Sequence, residues 1–300
     1  MKALVTGATG LIGYELIQRL SAPVVLSRGA TAAQERLGAS ARVWAWRPER
    51  EPAPLEAFDG VDTVFHLAGE PVAEGRWTAE KKRRIKESRV LGTRHLVASL
   101  GALKTPPRVL VSASGVDYYG DRGDEELDEA SPAGQGFLTE VCEAWEAEAR
   151  AAERLGVRVV MARLGLVLAP KGGALARMLP PFRLGVGGKL GSGRQWMPWV
   201  HVDDVIGLLL HAAQDQALSG PMNVVSPEPI TNAELTRELG RALGRPAVLT
   251  VPRVALSIAF GELSKVLLSS KRVLPRVARQ AGYAFVYPDL RRALEVCLAR

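Results

Sequence analysis

Residues Gly7 to Gly13, GATGLIG, follow the apolar run Ala3-Leu4-Val5 and lead into Leu11, Ile12, Leu16, Ile17 and Leu20, apolar positions at helical spacing. A strand, a glycine turn and a helix are predicted, in that order. Glycines at that turn leave backbone N–H groups and the positive end of the helix unobstructed, so a pyrophosphate can approach closely. The turn therefore predicts a dinucleotide site built around Gly7, Thr9, Gly10, Leu11, Ile12 and Gly13.

The second apolar strand, Pro23 to Arg28, bears on which dinucleotide is bound. An Asp or Glu at its end would accept from a ribose 2′-hydroxyl, whereas a cation suits a 2′-phosphate. Ser27 and Arg28 stand there. A hydroxyl donor beside a planar, permanently charged guanidinium fits a dianionic phosphate, so NADP(H) is the predicted cofactor.

Further strands are predicted at Arg42 to Trp46, Val61 to Gly69, Val109 to Ser112, Val157 to Ala162 and Met222 to Val225. Helical stretches at about Glu80 to Leu100, Phe137 to Leu155 and Val202 to Ala213 lie between them. Strands alternating with helices predict an α/β protein: a doubly wound, mostly parallel Rossmann sheet with a small discontinuous C-terminal α/β lobe. Residues 1–165, with about 199–226, are assigned to the NADP-binding domain, and about 166–198 and 227–300 to the substrate-side lobe. Within that lobe, the glycine- and proline-rich stretch Pro170 to Pro198 reads as a long loop able to fold over the carboxyl ends of the strands.

Two cysteines, Cys142 and Cys297, are too few for a disulfide framework and fit a reducing cytoplasm. No apolar run is long enough for a membrane span, and the immediate entry into a strand argues against a signal peptide. A net charge of +7 raises the question of nucleic acid. The densest basic run, Lys81 to Lys86, lies on a predicted helix without interleaved aromatics and reads as a solvated face, so no nucleic-acid partner is expected. No histidine, cysteine and carboxylate set has metal-ligand spacing, and no metal is expected. His66, at an apolar strand end, reads as a structural histidine. Asp203 and Asp204 read as helix-capping residues.

The three-residue glycine steps resemble the extended short-chain dehydrogenase/reductase family. Later segments extend the likeness in order: HLAGEP from His66, SASGVDYYG from Ser112 and WVHVDDV from Trp199. With Arg76-Trp77, KESRVLGTR from Lys86, KGGAL from Lys171, GSGRQWMPWVHVDD and Leu267 to Pro275, the chain resembles the atypical, YfcH-like branch, labelled sugar-nucleotide epimerase-related, over nearly its whole length. The resemblance implies cofactor contacts from Leu67, Ala68, Gly69, Glu70, Arg89, Ser112 and Arg163. It implies a carbonyl-orienting role for Ser114, and it points to a carbonyl compound or nucleotide-sugar as substrate. Its helices at 80–100 and 137–155 suggest a homodimer.

In the wider family a Tyr four residues before a Lys supplies the acid–base chemistry. No Tyr-x-x-x-Lys occurs in this chain; the pair falls at Leu138 and Cys142, or at Phe137 and Val141 one residue earlier. Three readings follow. An oxidoreductase or epimerase draws its proton from Tyr118, Tyr119, Asp117 or His201; an NADPH-binding regulator or scaffold has lost the chemistry; or a basic surface binds nucleic acid and the cofactor reports redox state.

Overall fold

The computed structural model describes residues 1–299. Seven short strands form one wholly parallel sheet: β1 (Ala3–Thr6), β2 (Val24–Ser27), β3 (Arg42–Ala45), β4 (Thr63–His66), β5 (Val109–Gly115), β6 (Arg158–Leu164) and β7 (Gly220–Val224). Their order is β7-β6-β5-β4-β1-β2-β3, so the winding reverses between β1 and β4. The central strands are buried on both faces, which is why they read as continuous apolar runs with no alternation.

Helices cover the two faces. α1 (Leu11–Ile17), α2 (Ala30–Leu37), α6 (Val202–Gln214) and α10 (Arg276–Gln280) share one apolar cluster with Val5, Val25, Phe65, Val111 and Val160. α3 (Ala79–Ala102) and α4 (Phe137–Arg150) cover the other face, where Leu96, Leu100 and Ala149 meet Leu4, Val64, Leu110 and Val159. A separate apolar cluster is made by α5 (Gly173–Arg183), α7 (Asn232–Ala242) and α11 (Leu290–Ala299). Two short helices complete this side, α8 (Arg253–Phe260) and α9 (Leu263–Leu268).

The stretch Pro170 to Pro198 is no loop, which corrects the sequence expectation. It contains α5, with Pro180 and Pro181 inside the helix, and a short strand at Gly188–Leu190 that pairs with Leu249–Val251. Leu175, Leu179 and Phe182 repeat at helical spacing and are all buried, so the apolar stripe outweighs the lost amide donors of the two prolines. The basic run also differs from a uniformly solvated face. Lys81 is buried against Glu70, while Lys82 pairs with Glu262 and Arg83 with Glu80 and Glu87.

The glycine turn is locked by close backbone approach. Gly7 has φ +73°, and a Cβ there would lie 2.7 Å from the Leu67 carbonyl, while one on Gly13 would lie 2.2 Å from Gly7 O. Neither obstacle is a flexible side chain, so neither can yield.

His66 at the end of β4 is fully buried between two hydroxyls, Thr6 Oγ1 at 2.8 Å from Nδ1 and Thr93 Oγ1 at 2.9 Å from Nε2. Thr6 Oγ1 already accepts from the amides of Leu67 and Ala68, so its hydrogen goes to Nδ1. Thr93 Oγ1 donates to the Arg89 carbonyl at 2.6 Å and is left to accept from Nε2–H. The neutral ring thus satisfies every partner, and burial lowers its pKa to about 4.

Three outcomes are expected. Gly13→Ala should lower unfolding free energy by at least about 2 kcal/mol, because the turn must open. Gly101→Ala in α3, whose Cβ meets only Leu155 methyls at ordinary contact, should raise it by about 0.5–1 kcal/mol in the same denaturant titration. For His66, the unfolded chain takes up the proton near 6.5 and the folded chain only near 4. Between those values the unfolded state holds more protons, so stability present above pH 6.5 is lost as pH falls, by roughly 3 kcal/mol in all. Paired denaturation curves should show this part of the acid sensitivity disappearing in His66→Gln.

Candidate functional site

A cavity of about 250 Å³ lies beyond the carboxyl ends of β1, β2 and β4, where the winding of the sheet reverses. Such a crevice is where open α/β sheets hold ligands. Of the residues singled out in the sequence, Gly7, Thr9, Gly10, Ser27, Arg28, Leu67, Ala68, Gly69 and Glu70 all line it. Residues 7, 28 and 69 are far apart in sequence, and the parallel register of three strands brings them to one wall.

Arg28 is two-thirds exposed, and its single ion pair is a long contact of 3.9 Å to Glu49, itself a lining residue. Trp46, Pro48 and Ser88 also contribute lining, and none of these was legible as such in the sequence. Glu70 is anchored: Lys81 Nζ donates to its carboxylate at 2.8 Å, Ser88 Oγ accepts its amide at 3.0 Å, and Arg89 Nη1 donates to its carbonyl at 3.0 Å. The hydrogen bond from Lys81 holds the Glu70 carboxyl below its ordinary range. Arg89 stacks at 5.1 Å over Trp145 and sits so close beneath Gly69 that a Cβ there would meet its guanidinium carbon at 3.1 Å. Arg89 therefore supports the wall from behind, and Gly13 likewise packs behind the turn. Leu11 reaches Gly173, at the start of α5, and Ile12 packs against the core beside α6.

Four candidates lie in one buried network. Arg163 donates through Nε and Nη2 to Glu146 Oε1 and Oε2, both at 2.8 Å, and through Nη1 to the Tyr119 hydroxyl at 2.9 Å. Tyr119 donates to Asn223 Oδ1 at 2.8 Å, Ser114 Oγ donates to Glu146 Oε1 at 2.7 Å, and the Tyr118 ring lies 3.5 Å from the guanidinium carbon. The hydroxyl hydrogens of Ser114 and Tyr119 are thus committed, whereas Tyr118 contributes its ring and is only half-buried, and burial pushes the Tyr119 phenol up to about 12. Arg163, for which the resemblance implied a cofactor contact, points into this network and does not line the cavity. Ser112 is also fully buried.

On α4 the positions expected for the family pair are Leu138 and Cys142, or Phe137 and Val141, and neither pair supplies a base. Leu138 is apolar, and burial pushes the Cys142 thiol up to about 12. His201 is buried, its Nδ1 accepting the Asp203 amide at 3.1 Å and its ring 4.1 Å from Tyr287. Asp204 does more than open a helix: it accepts the amides of Val286 and Tyr287 and the Tyr283 hydroxyl, clasping the C-terminal segment.

Asp117 differs from the other proton-donor candidates. It lines a second cavity of about 630 Å³ between the start of α4, the loop after β5 and the α8–α9 region. Lys271 Nζ lies 3.1 Å from Asp117 Oδ1 and also donates to Ser269 Oγ at 2.5 Å, with the lysine only 6% exposed. Sequence reasoning missed Lys271; its one signal was the matching stretch Leu267 to Pro275. Among the described residues no cluster has the makings of a metal site, and no helix is long and apolar enough to cross a membrane.

Comparison with known proteins agrees with this geometry. The model of the NAD dependent epimerase/dehydratase family matches residues 3–225, and that of a domain of unknown function, DUF1731, matches residues 251–297. An epimerase family protein of Mycobacterium bovis is 38% identical over 301 residues, covering 99% of this chain and 97% of that protein. The crystal structure of human epimerase family protein SDR39U1 with NADPH superposes with a TM-score of 0.89 at 33% identity, each chain fully covered. A nucleoside-diphosphate sugar epimerase of Corynebacterium glutamicum gives 0.77 at 31% identity, covering 99% of this chain and 58% of that one. The parallel sheet, the glycine turn against β4 and the match over three-quarters of the sequence establish that this chain belongs to the NAD dependent epimerase/dehydratase family.

Proposed function

We propose that this chain is an NADP(H)-dependent oxidoreductase or epimerase of the atypical extended short-chain class, acting on a small carbonyl compound or nucleotide-sugar. The observation that carries the reading is the joining of the glycine turn, Ser27-Arg28 and Leu67 to Glu70 around one cavity at the reversal of the sheet. Human SDR39U1, similar along its entire length, was crystallised with NADPH.

Within that cavity Ser27 and Arg28 suit the 2′-phosphate, because Arg28 is exposed and its contact to Glu49 is long enough to exchange for a phosphate. The turn Gly7 to Gly10 suits the diphosphate, with Gly10 free of a side chain that would cover it. Leu67 to Glu70, braced by Lys81 and Arg89, form the wall toward the nicotinamide. Bound NADP(H) supplies hydride chemistry at the nicotinamide ring. The protein's part is to orient a carbonyl and handle a proton. With Ser114 and Tyr119 committed inside the core, that role falls to the pair Asp117–Lys271, which lines the second cavity with Lys271 Nζ held 3.1 Å from Asp117 Oδ1.

The lack of a base at those α4 positions favours a second reading, in which the chain binds NADPH as a regulator without turnover. Stereospecific hydrogen exchange at the nicotinamide C4 would exclude it.

A fluorescence titration of NADPH and NADH against wild-type protein and Arg28→Ala tests the assignment. Wild type should prefer NADPH, and the variant should bind it 10- to 100-fold more weakly, matching about 1.5–3 kcal/mol for a charge-assisted contact, with NADH affinity unchanged. Equal affinity of wild type for the two cofactors would overturn it.

A further inference from the structure

Apart from Met1, Leu55 and Val286, the large apolar side chains left exposed among the described residues gather in two stretches. Leu184 and Val186 follow α5, and Val248, Leu249, Val254, Ile258 and Phe260 belong to the strand Leu249–Val251, its approach and α8. Val248, 84% exposed, and Leu184, 78% exposed, project furthest. The two stretches adjoin: the strand Gly188–Leu190 pairs with Leu249–Val251, and a Cβ on Gly185 would touch Pro246 Cγ at 3.8 Å.

This strand pair has two outer edges, and they differ. The Leu190 amide donates to Asn232 Oδ1 at 2.7 Å and the Leu190 carbonyl accepts from Gln195 Nε2 at 3.0 Å, so side chains close that edge. On the other strand the Val251 carbonyl accepts the Gly191 amide at 2.9 Å, so Leu249 and Val251 turn their backbone polar groups inward. Alternate residues of a parallel ladder turn theirs the opposite way, which leaves the amides and carbonyls of Val248 and Thr250 along an open edge. Both residues are exposed, and among the described residues no strand lies beyond them. The charge beside this edge has one sign: Arg183 and Arg245 are exposed, and residues 164–202 and 239–261 contain no carboxylate side chain.

We infer that this edge is a docking surface for an extended, acidic segment of a partner protein, which adds a strand beside Leu249–Val251. Main-chain hydrogen bonds to Val248 and Thr250 align the segment, Leu184, Val186 and Val248 meet its apolar side chains, and its carboxylates meet Arg183 and Arg245. Two other occupants suit the surface less. A second copy across a two-fold axis would press two patches of like charge together with no carboxylate between them. A bilayer surface offers hydrocarbon, which would leave the open amides and carbonyls without partners.

Fluorescence anisotropy on the full chain tests this, with a labelled heptapeptide of alternating valine and threonine that ends in aspartate on both sides. It should bind about ten-fold or more tightly than the same peptide ending in lysines, and by a similar factor more tightly than the aspartate peptide with its backbone amides N-methylated. Its affinity should fall about ten-fold in the double variant Arg183→Glu, Arg245→Glu, and again in Thr250→Pro, which removes one outward amide and leaves the ladder to Gly188–Leu190 in place. Unchanged thermal melting shows that the variants fold, and the comparison among peptides needs no variant. No binding of the aspartate peptide, or equal binding of the lysine or N-methylated peptide, would overturn the inference. So would a dimer in sedimentation that dissociates in Thr250→Pro, which makes a second copy the occupant, or co-sedimentation with phosphatidylglycerol vesicles in place of peptide binding.

Discussion

The fork of hydrogen bonds between Arg163 and Glu146 holds together the part of the molecule where chemistry can happen. It joins β6 to α4, takes in β5 through Ser114, and reaches β7 through Tyr119 and Asn223. Asn223 continues the chain, donating to the Leu274 carbonyl while its amide, like that of Val277, donates to Glu129. A buried ion pair gains little over an apolar pair of similar volume, but losing one partner strands a charge at a cost of about 3–5 kcal/mol. Its effect here is therefore geometric. With both carboxylate oxygens and every guanidinium nitrogen engaged, β5 and α4 have one mutual placement, and the loop carrying Asp117 leaves the sheet from a fixed point.

How far the sequence could be read follows from the range of the forces involved. The strand, turn and helix at residues 3–17, and the alternation through residue 164, are short-range patterns in which each segment's periodicity agrees with its final environment. The helix at 173–183 was hidden because it carries Pro180 and Pro181 in its interior and is flanked by glycine-rich segments, although Leu175, Leu179 and Phe182 carry its apolar stripe. The dinucleotide wall was legible because a glycine turn, a strand end and a second strand end occupy fixed places in such a sheet. Side-chain direction was not. Ser114 and Arg163 are cross-strand partners in adjacent parallel strands, and only their mutual packing shows that both point to Glu146 and away from solvent. The second cavity was least accessible of all, since Trp77, Asp117, Phe137, Arg253 and Lys271 share no local pattern.

That the sequence contains no Tyr-x-x-x-Lys bears on where charge can reside. Leu138 and Cys142 are buried on α4, and a thiol pushed up to about 12 stays protonated and neutral. Asp117, in the loop after β5, and Lys271, in the segment after α9, carry charge at the second cavity. A lysine only 6% exposed forfeits hydration and regains it from one carboxylate at 3.1 Å and one hydroxyl at 2.5 Å. On stability alone an apolar pair would serve as well or better at that position. A compensated charge kept in the lining of a cavity of about 630 Å³, with Phe137 and Leu138 of α4 in the same lining, is better suited to meet a ligand than to stabilise the fold.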